Sequence, residues 1–164
     1  MSAGASLALR ALGHGDEDAL AAFFEALVAA GDTERFHPHP FDAGEAARIC
    51  GYGGKDVYAA AVVDRGDAGR EVVAYGLLRG WDEGYAIPSL GIAVSPLARG
   101  AGYGRLMMGW LHAQARLRQA PSVMLKVYPD NARAKGLYES LGYVFEEALV
   151  QGQLKGFWEV PGGG

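Results

Sequence analysis

Arg99-Gly100-Ala101-Gly102-Tyr103-Gly104-Arg105 is the stretch on which the reading of this chain turns. It follows an apolar run, Leu90 to Val94, that reads as a buried strand, and Pro96, which cannot continue a ladder. It leads into an apolar helix. Glycines at 100, 102 and 104 let the backbone turn its N–H groups toward one point at the helix start. Unpaired amides and the helix dipole both favour negative charge there. Arg99 adds a cation suited to a phosphate. The stretch is built to hold a pyrophosphate.

Two familiar phosphate motifs do not fit. In the G-x-G-x-x-G dinucleotide fingerprint the third glycine would fall on Arg105 or Met107. In the P-loop, Gly104 and Gly109 have the spacing, but Trp110 and Leu111 stand where Lys and Ser/Thr are needed. By contrast, Arg99-x-x-Gly102-x-Gly104 resembles the R/Q-x-x-G-x-G/A coenzyme A motif of the GNAT N-acyltransferase superfamily. A second block, Asn131-Ala132-Arg133-Ala134-Lys135-Gly136-Leu137-Tyr138-Glu139-Ser140-Leu141-Gly142-Tyr143, resembles that family's N-x-x-A-x-x-L-Y-x-x-L-G-[FY] segment, in the right order.

The resemblance implies an α/β fold with a central twisted mixed sheet and helices on both faces. It implies an acetyl-CoA-dependent N-acetyltransferase without a metal, acting by direct attack of a primary amine in a ternary complex. Main-chain N–H groups of Gly100, Gly102, Tyr103 and Gly104 are then expected to grip the coenzyme, with Arg99, Ala101 and Arg105 alongside. In the family the fourth and fifth strands splay apart. Backbone groups of Ile92, Ala93 and Val94 are the expected partners of the pantetheine arm in that gap. Tyr138 carries over the family's tyrosine that points at the thioester sulfur, and a phenol of pKa ~10 is protonated at neutrality and can donate. Asn131 is expected to cap a helix and to contact the coenzyme.

Composition sets the outer bounds. A chain of 164 residues, half of them apolar and 21% charged, fits one globular domain with an ordered core over about 7–160. A net charge of −4 gives no footprint for nucleic acid. No apolar run reaches the ~18 residues of a membrane span. The first residues lack the basic segment and apolar core of a signal peptide, and Cys50 is the single cysteine, so a cytoplasmic address is expected. Cys50 reads as a small packing residue among alanines.

The elements follow from periodicity and breakers. Residues 1–7 read as a loose tail or the start of a strand over 6–11. Asp16 reads as the cap of a helix carrying Leu20, Phe23, Phe24 and Leu27 and ending at Gly31. Thr33 to Phe41 reads as a loop, and Ala43 to Cys50 as a short helix. Strands are expected over 57–63 and 71–78, joined by a polar hairpin connection. After the strand over 89–94 come a helix over 102–119, a strand over 123–128 and a helix over 131–141, stopped by Gly142. Two strands, 143–149 and 153–160, close the chain, with Pro161 to Gly164 expected to be disordered. Ala134, Leu137, Tyr138 and Leu141 form an apolar stripe on the last helix.

The acceptor end has two candidate segments. Asp82 and Glu83, in Gly80-Trp81-Asp82-Glu83-Gly84-Tyr85, are two carboxylates beside two aromatics, which suits an aminium-binding wall. Glu83 is the candidate base, and this loop favours a cationic acceptor. His37 and His39, between prolines, fall where the family's acceptor loop lies and are the rival bases. The expected partners are then a small-molecule amine or peptide acceptor and a second copy of the chain in a homodimer. Two other readings stand beside the enzyme: a non-catalytic acyl-CoA-binding module on the same fold, and a nicotinamide dinucleotide enzyme, against which the failed fingerprint speaks.

Overall fold

A computed structural model of the chain describes residues 4–162. Its elements in chain order are β1 (Ser6–Ala11), α1 (Glu17–Ala29), α2 (Ala43–Cys50), β2 (Val57–Asp64), β3 (Arg70–Arg79), β4 (Ser89–Val94), α3 (Tyr103–Leu117), β5 (Ser122–Val127), α4 (Ala132–Ser140), β6 (Val144–Val150) and β7 (Gln153–Glu159). The strands form one seven-stranded sheet in the order β1-β2-β3-β4-β5-β7-β6. Neighbours run antiparallel except β4 and β5, which are parallel. The mixed sheet with helices on both faces agrees with the sequence reading.

Strand alternation sends successive side chains to opposite faces, so each central strand serves two cores. On one face Leu20, Phe24 and Leu27 of α1 and Ile49 of α2 pack with Tyr58, Tyr75 and Leu77. On the other, Met107, Met108, Leu111 and Ala115 of α3 pack with Ala59, Ala61, Ala74 and Leu78. Burial of a side chain such as Phe24 or Leu111 contributes about 1.5–3 kcal/mol. Small residues on the central strands let the helices approach. At Gly76 a Cβ would lie 2.8 Å from both Leu111 Cδ1 and Met107 Sδ, so α3 rests on bare backbone there. Cys50 is buried in the α1–α2 core, and burial pushes its thiol up to about 11.

Several expectations change. Asp16 precedes α1 but makes no side-chain cap. Its buried carboxylate instead accepts two hydrogen bonds from Arg10, at 2.7 and 2.8 Å, and one from the Gly13 amide, locking α1 to β1. The loop after α1 contains a 3₁₀ turn over Asp32–Glu34. The stripe of α4 is half-buried, with no fully buried residue, because α4 borders a cleft. Ser6 and Leu7 already belong to β1, while residues 1–3 of the expected loose tail lie outside the described residues. Pro161 and Gly162 form a turn, and residues 163–164 of the expected disordered tail are likewise outside them.

Candidate functional site

The site begins as a failure of pairing. β4 is bonded to β3 along its whole length, from Arg79↔Ser89 to Ala74↔Val94. To β5 it is joined by one register pair, Ser89↔Met124. Beyond that pair the two parallel strands separate, and the gap opens into a cleft of about 1020 Å³. The direction of each backbone group follows from two hydrogen bonds. Met124 N–H donates to Pro88 O at 3.0 Å, and Ser95 N–H donates to Val73 O at 2.9 Å. Residues of a strand alternate between its two edges, so even-numbered residues of β4 present N–H and C=O to β5 and odd-numbered ones to β3. Leu90, Ile92 and Val94 therefore face the gap. Ala93 lines the cleft as well, but its backbone faces Tyr75 on β3 and not the gap, which corrects the expected backbone role alone.

At the open end of this seam lies the glycine turn. Gly100 (φ +83°) and Gly102 (φ +88°) adopt left-handed backbone, and Gly102 is the N-cap of α3 without any side-chain cap. Leu106 N–H makes the helix's first bond, to Gly102 O at 3.1 Å. The amides of Tyr103, Gly104 and Arg105 are thus left without intrahelical partners beside the cleft they line. Arg99, Gly100 and Gly102 line it too, but Ala101 does not. Arg99 is ion-paired with Asp32 of the 3₁₀ turn and so is not a free cation. Asn131 caps α4 by accepting from Ala134 N–H at 3.4 Å, and it also lines the cleft. Such paired helix starts can hold a diphosphate.

Tyr138 lies on the cleft wall, its ring 5.9 Å from that of Tyr143. Burial pushes its phenol up to about 12, and its hydroxyl has no hydrogen-bond partner among the described residues.

The segment after α1 crosses the cleft. Arg35 donates to both oxygens of Asp130 at 2.9 Å each, and His37 Nε2 lies 2.9 Å from Tyr128 Oη. Phe36 settles over Gly91, where a Cβ would stand 3.0 Å from the Phe36 ring. Opposite, the β6–β7 turn brings Gln151 and Gln153 to the cleft. His37 lines the cleft but His39 does not: it bonds Tyr75 Oη at 2.8 Å and packs among Phe24 and Phe41. Burial lowers its pKa below the usual imidazole range, as befits a packing residue.

Asp82 and Glu83 are not brought to the cleft, a second correction. One oxygen of Asp56 accepts from the amides of Gly80, Trp81 and Asp82 (3.1, 2.9 and 3.3 Å) and pins their loop toward the α2–β2 connection. Asp82 is bonded by Tyr52 and by Lys55 N–H, and the Tyr52 hydroxyl holds its carboxyl below the usual range. Trp81 lies under the Arg118 guanidinium, 4.8 Å away, on the side of α3's C-terminus. Sequence reasoning missed Arg79, Lys126 and Tyr128, which do line the cleft. A lysine inside an otherwise apolar strand, Val123 to Val127, was the legible sign of one of them. Among the described residues no group of three or more His, Cys, Asp or Glu gathers as a metal site, and no helix is long and apolar enough to cross a membrane.

Known structures share this architecture. A GCN5-related N-acetyltransferase from Kribbella flavida aligns at TM-score 0.74 and 22% identity over 93% of this chain and 97% of its own. The GNAT domain of S. lividans PAT aligns at 0.75 and 19% over 92% and 89%. Spermidine N-acetyltransferase from Vibrio cholerae, in complex with CoA and spermine, aligns at 0.73 and 19% over 94% and 96%. No protein of curated function is significantly similar in sequence. The acetyltransferase (GNAT) family profile matches residues 21–143, which take in the glycine turn, the splayed strands and the Tyr138 helix alike, and the chain belongs to that family.

Proposed function

We propose that the protein transfers the acetyl group of acetyl-CoA to a primary amine by direct attack in a ternary complex. The observation that carries this is the half-paired β4, whose open edge runs to the glycine turn along a cleft that Tyr138 also lines. When bound, acetyl-CoA supplies an acyl group already activated as a thioester. The free amides of Tyr103, Gly104 and Arg105 hold its diphosphate. The gap-facing groups of Ile92 and Val94 take the amides of the pantetheine arm much as a sheet edge takes an added strand. Gly100, Gly102 and Asn131 shape that end, while Arg99 reaches it only by sharing its guanidinium with Asp32.

Tyr138 holds a proton at Oη for the departing sulfur, and its raised pKa keeps that proton in place at neutrality. The attacking amine has a proton to lose. In this reading His37, which lines the cleft and bonds Tyr128, receives it, and Glu83, which does not line the cleft, has no part. The balance is amine plus acetyl thioester giving amide plus free thiol. Free-thiol release over a panel of primary amines, with calorimetric binding of acetyl-CoA, tests the reading. Binding with amine-dependent thiol release supports it. Binding without turnover on any amine would leave a coenzyme-sensing module instead.

A further inference from the structure

The acceptor half of the cleft carries unspent positive charge. Of the cleft-lining side chains among the described residues, six are cationic (Arg35, Arg79, Arg99, Arg105, Lys126 and Arg133), and Asp32 is the one carboxylate. Arg99 and Asp32 neutralise each other, and Arg35 is spent on Asp130. Arg105 and Arg133 sit by the two helix starts at the open end, where the coenzyme's phosphates belong. That leaves Arg79 and Lys126, neither of which has a carboxylate within ion-pair distance among the described residues.

Their placement is specific. Arg79 pairs with Ser89 across β3 and β4, and Ser89 pairs with Met124, two residues before Lys126 on β5. Residues two apart share a sheet face, so Arg79 and Lys126 project from one face on either side of the closed end of the seam. It is the face of Leu77, which packs against α1 and α2, and hence the face crossed by the segment of Phe36, His37 and Pro38. Arg79 donates to Pro38 O at 3.0 Å, which fixes its guanidinium at the cleft wall and leaves other N–H groups free. An arm laid along β4 from the glycine turn carries its reactive end toward this closed end. The acceptor therefore meets two cations and no free carboxylate where it must present its amine.

We infer that the acceptor is a small primary amine that also bears an anionic group, a carboxylate or a phosphonate, held by Arg79 and Lys126. This rests on the transferase reading above and narrows its substrate class. A guanidinium suits an oxyanion because its planar N–H fork matches two oxygens, and the ammonium of Lys126 supplies a second point charge. Polyamines, whose extra charges need carboxylates, fit this cleft poorly.

Matched amines separate the possibilities: L-phenylalanine against phenethylamine, 2-aminoethylphosphonate against propylamine, and spermidine, each assayed by thiol release with the full chain. The expected result is kcat/KM at least tenfold higher for the anionic member of each pair. Lys126→Gln, at an exposed position, and Arg79→Gln should each raise KM for the anionic member about 10- to 100-fold, the range for a lost charged hydrogen bond, so that the ratio within a pair collapses toward one. Which pair shows the larger ratio tells carboxylate from phosphonate. Spermidine or the uncharged amines turned over as well as or better than the anionic ones would overturn the inference and leave the transferase standing. Absence of amine-dependent thiol release with every amine tested, despite acetyl-CoA binding, would overturn both.

Discussion

Ser89 and Met124 are the one register pair that joins β4 to β5, and it sits at the start of β4, so the seam closes at one end and gapes at the other. The backbone parity that follows can be read directly by amide hydrogen exchange. In the free protein the amides of Ile92 and Val94, facing the gap, should exchange rapidly. That of Ala93, directed to β3, should be protected. Saturating acetyl-CoA should slow exchange at Ile92 and Val94 and leave Ala93 unchanged. Protection of all three in the free protein would mean that the seam is closed in solution.

Tyr138 stands where an acid is needed: it lies on the cleft wall, its hydroxyl has no hydrogen-bond partner among the described residues, and burial keeps it protonated. Tyr138→Phe keeps the ring that packs by Tyr143 and removes the proton. Acetyl-CoA affinity should stay nearly constant while kcat falls by about 10²–10⁴-fold, the usual span for acid catalysis. An unchanged kcat would reduce Tyr138 to a wall residue.

His37 and Glu83 separate cleanly by position. Glu83→Gln should leave kcat and KM near those of the parent, because the loop over 80–85 is pinned by Asp56 away from the cleft. His37→Ala should lower kcat/KM by about 10²-fold or more. If instead Glu83→Gln were the damaging change, the loop would have to swing into the cleft during turnover.

His112 couples stability to pH. Its ring stacks on Trp158 at 3.8 Å, Nε2 lies 2.8 Å from Tyr143 Oη, and burial lowers its pKa to about 4. The unfolded chain, with an imidazole near 6.5, therefore binds a proton that the folded one refuses. Stability from this group is intact above pH ~6.5, falls as pH drops toward 4, and levels off below that. The slope is at most about 1.4 kcal/mol per pH unit, and less in practice because the ring is only half-buried. Urea unfolding at pH 7, 6 and 5 should show the loss, and His112→Phe should flatten it. An equal slope in both proteins would assign the acid sensitivity elsewhere.

The chain's local chemistry was legible because it is local. Glycines at 100 and 102 permit a left-handed backbone that other residues resist, and both adopt it. Strand and helix periods at 57–63, 71–78 and 102–119 are set by neighbours within a few residues, so those elements appear nearly where periodicity places them. Gly142, at φ +101°, follows the end of α4 as expected. The glycine-turn end of the cleft is made of such short-range features, and the family profile covers both of its motifs.

The acceptor end is not. Asp82 and Glu83 looked like a substrate wall because they precede β4, but Asp56, distant in sequence, gathers three amides of their loop and turns it away. His37 and His39 are two residues apart with similar neighbours, yet one meets Tyr128 at the cleft and the other Tyr75 in the core. Arg79 and Lys126 bear no motif relation to each other, and only the meeting of Ser89 with Met124 sets them on one face beside the same gap. Backbone sterics and periodicity are short-ranged and can be read along the chain. Which loop is bonded away from the cleft, and which charges are left unpaired within it, depends on partners that come together only once the sheet has formed.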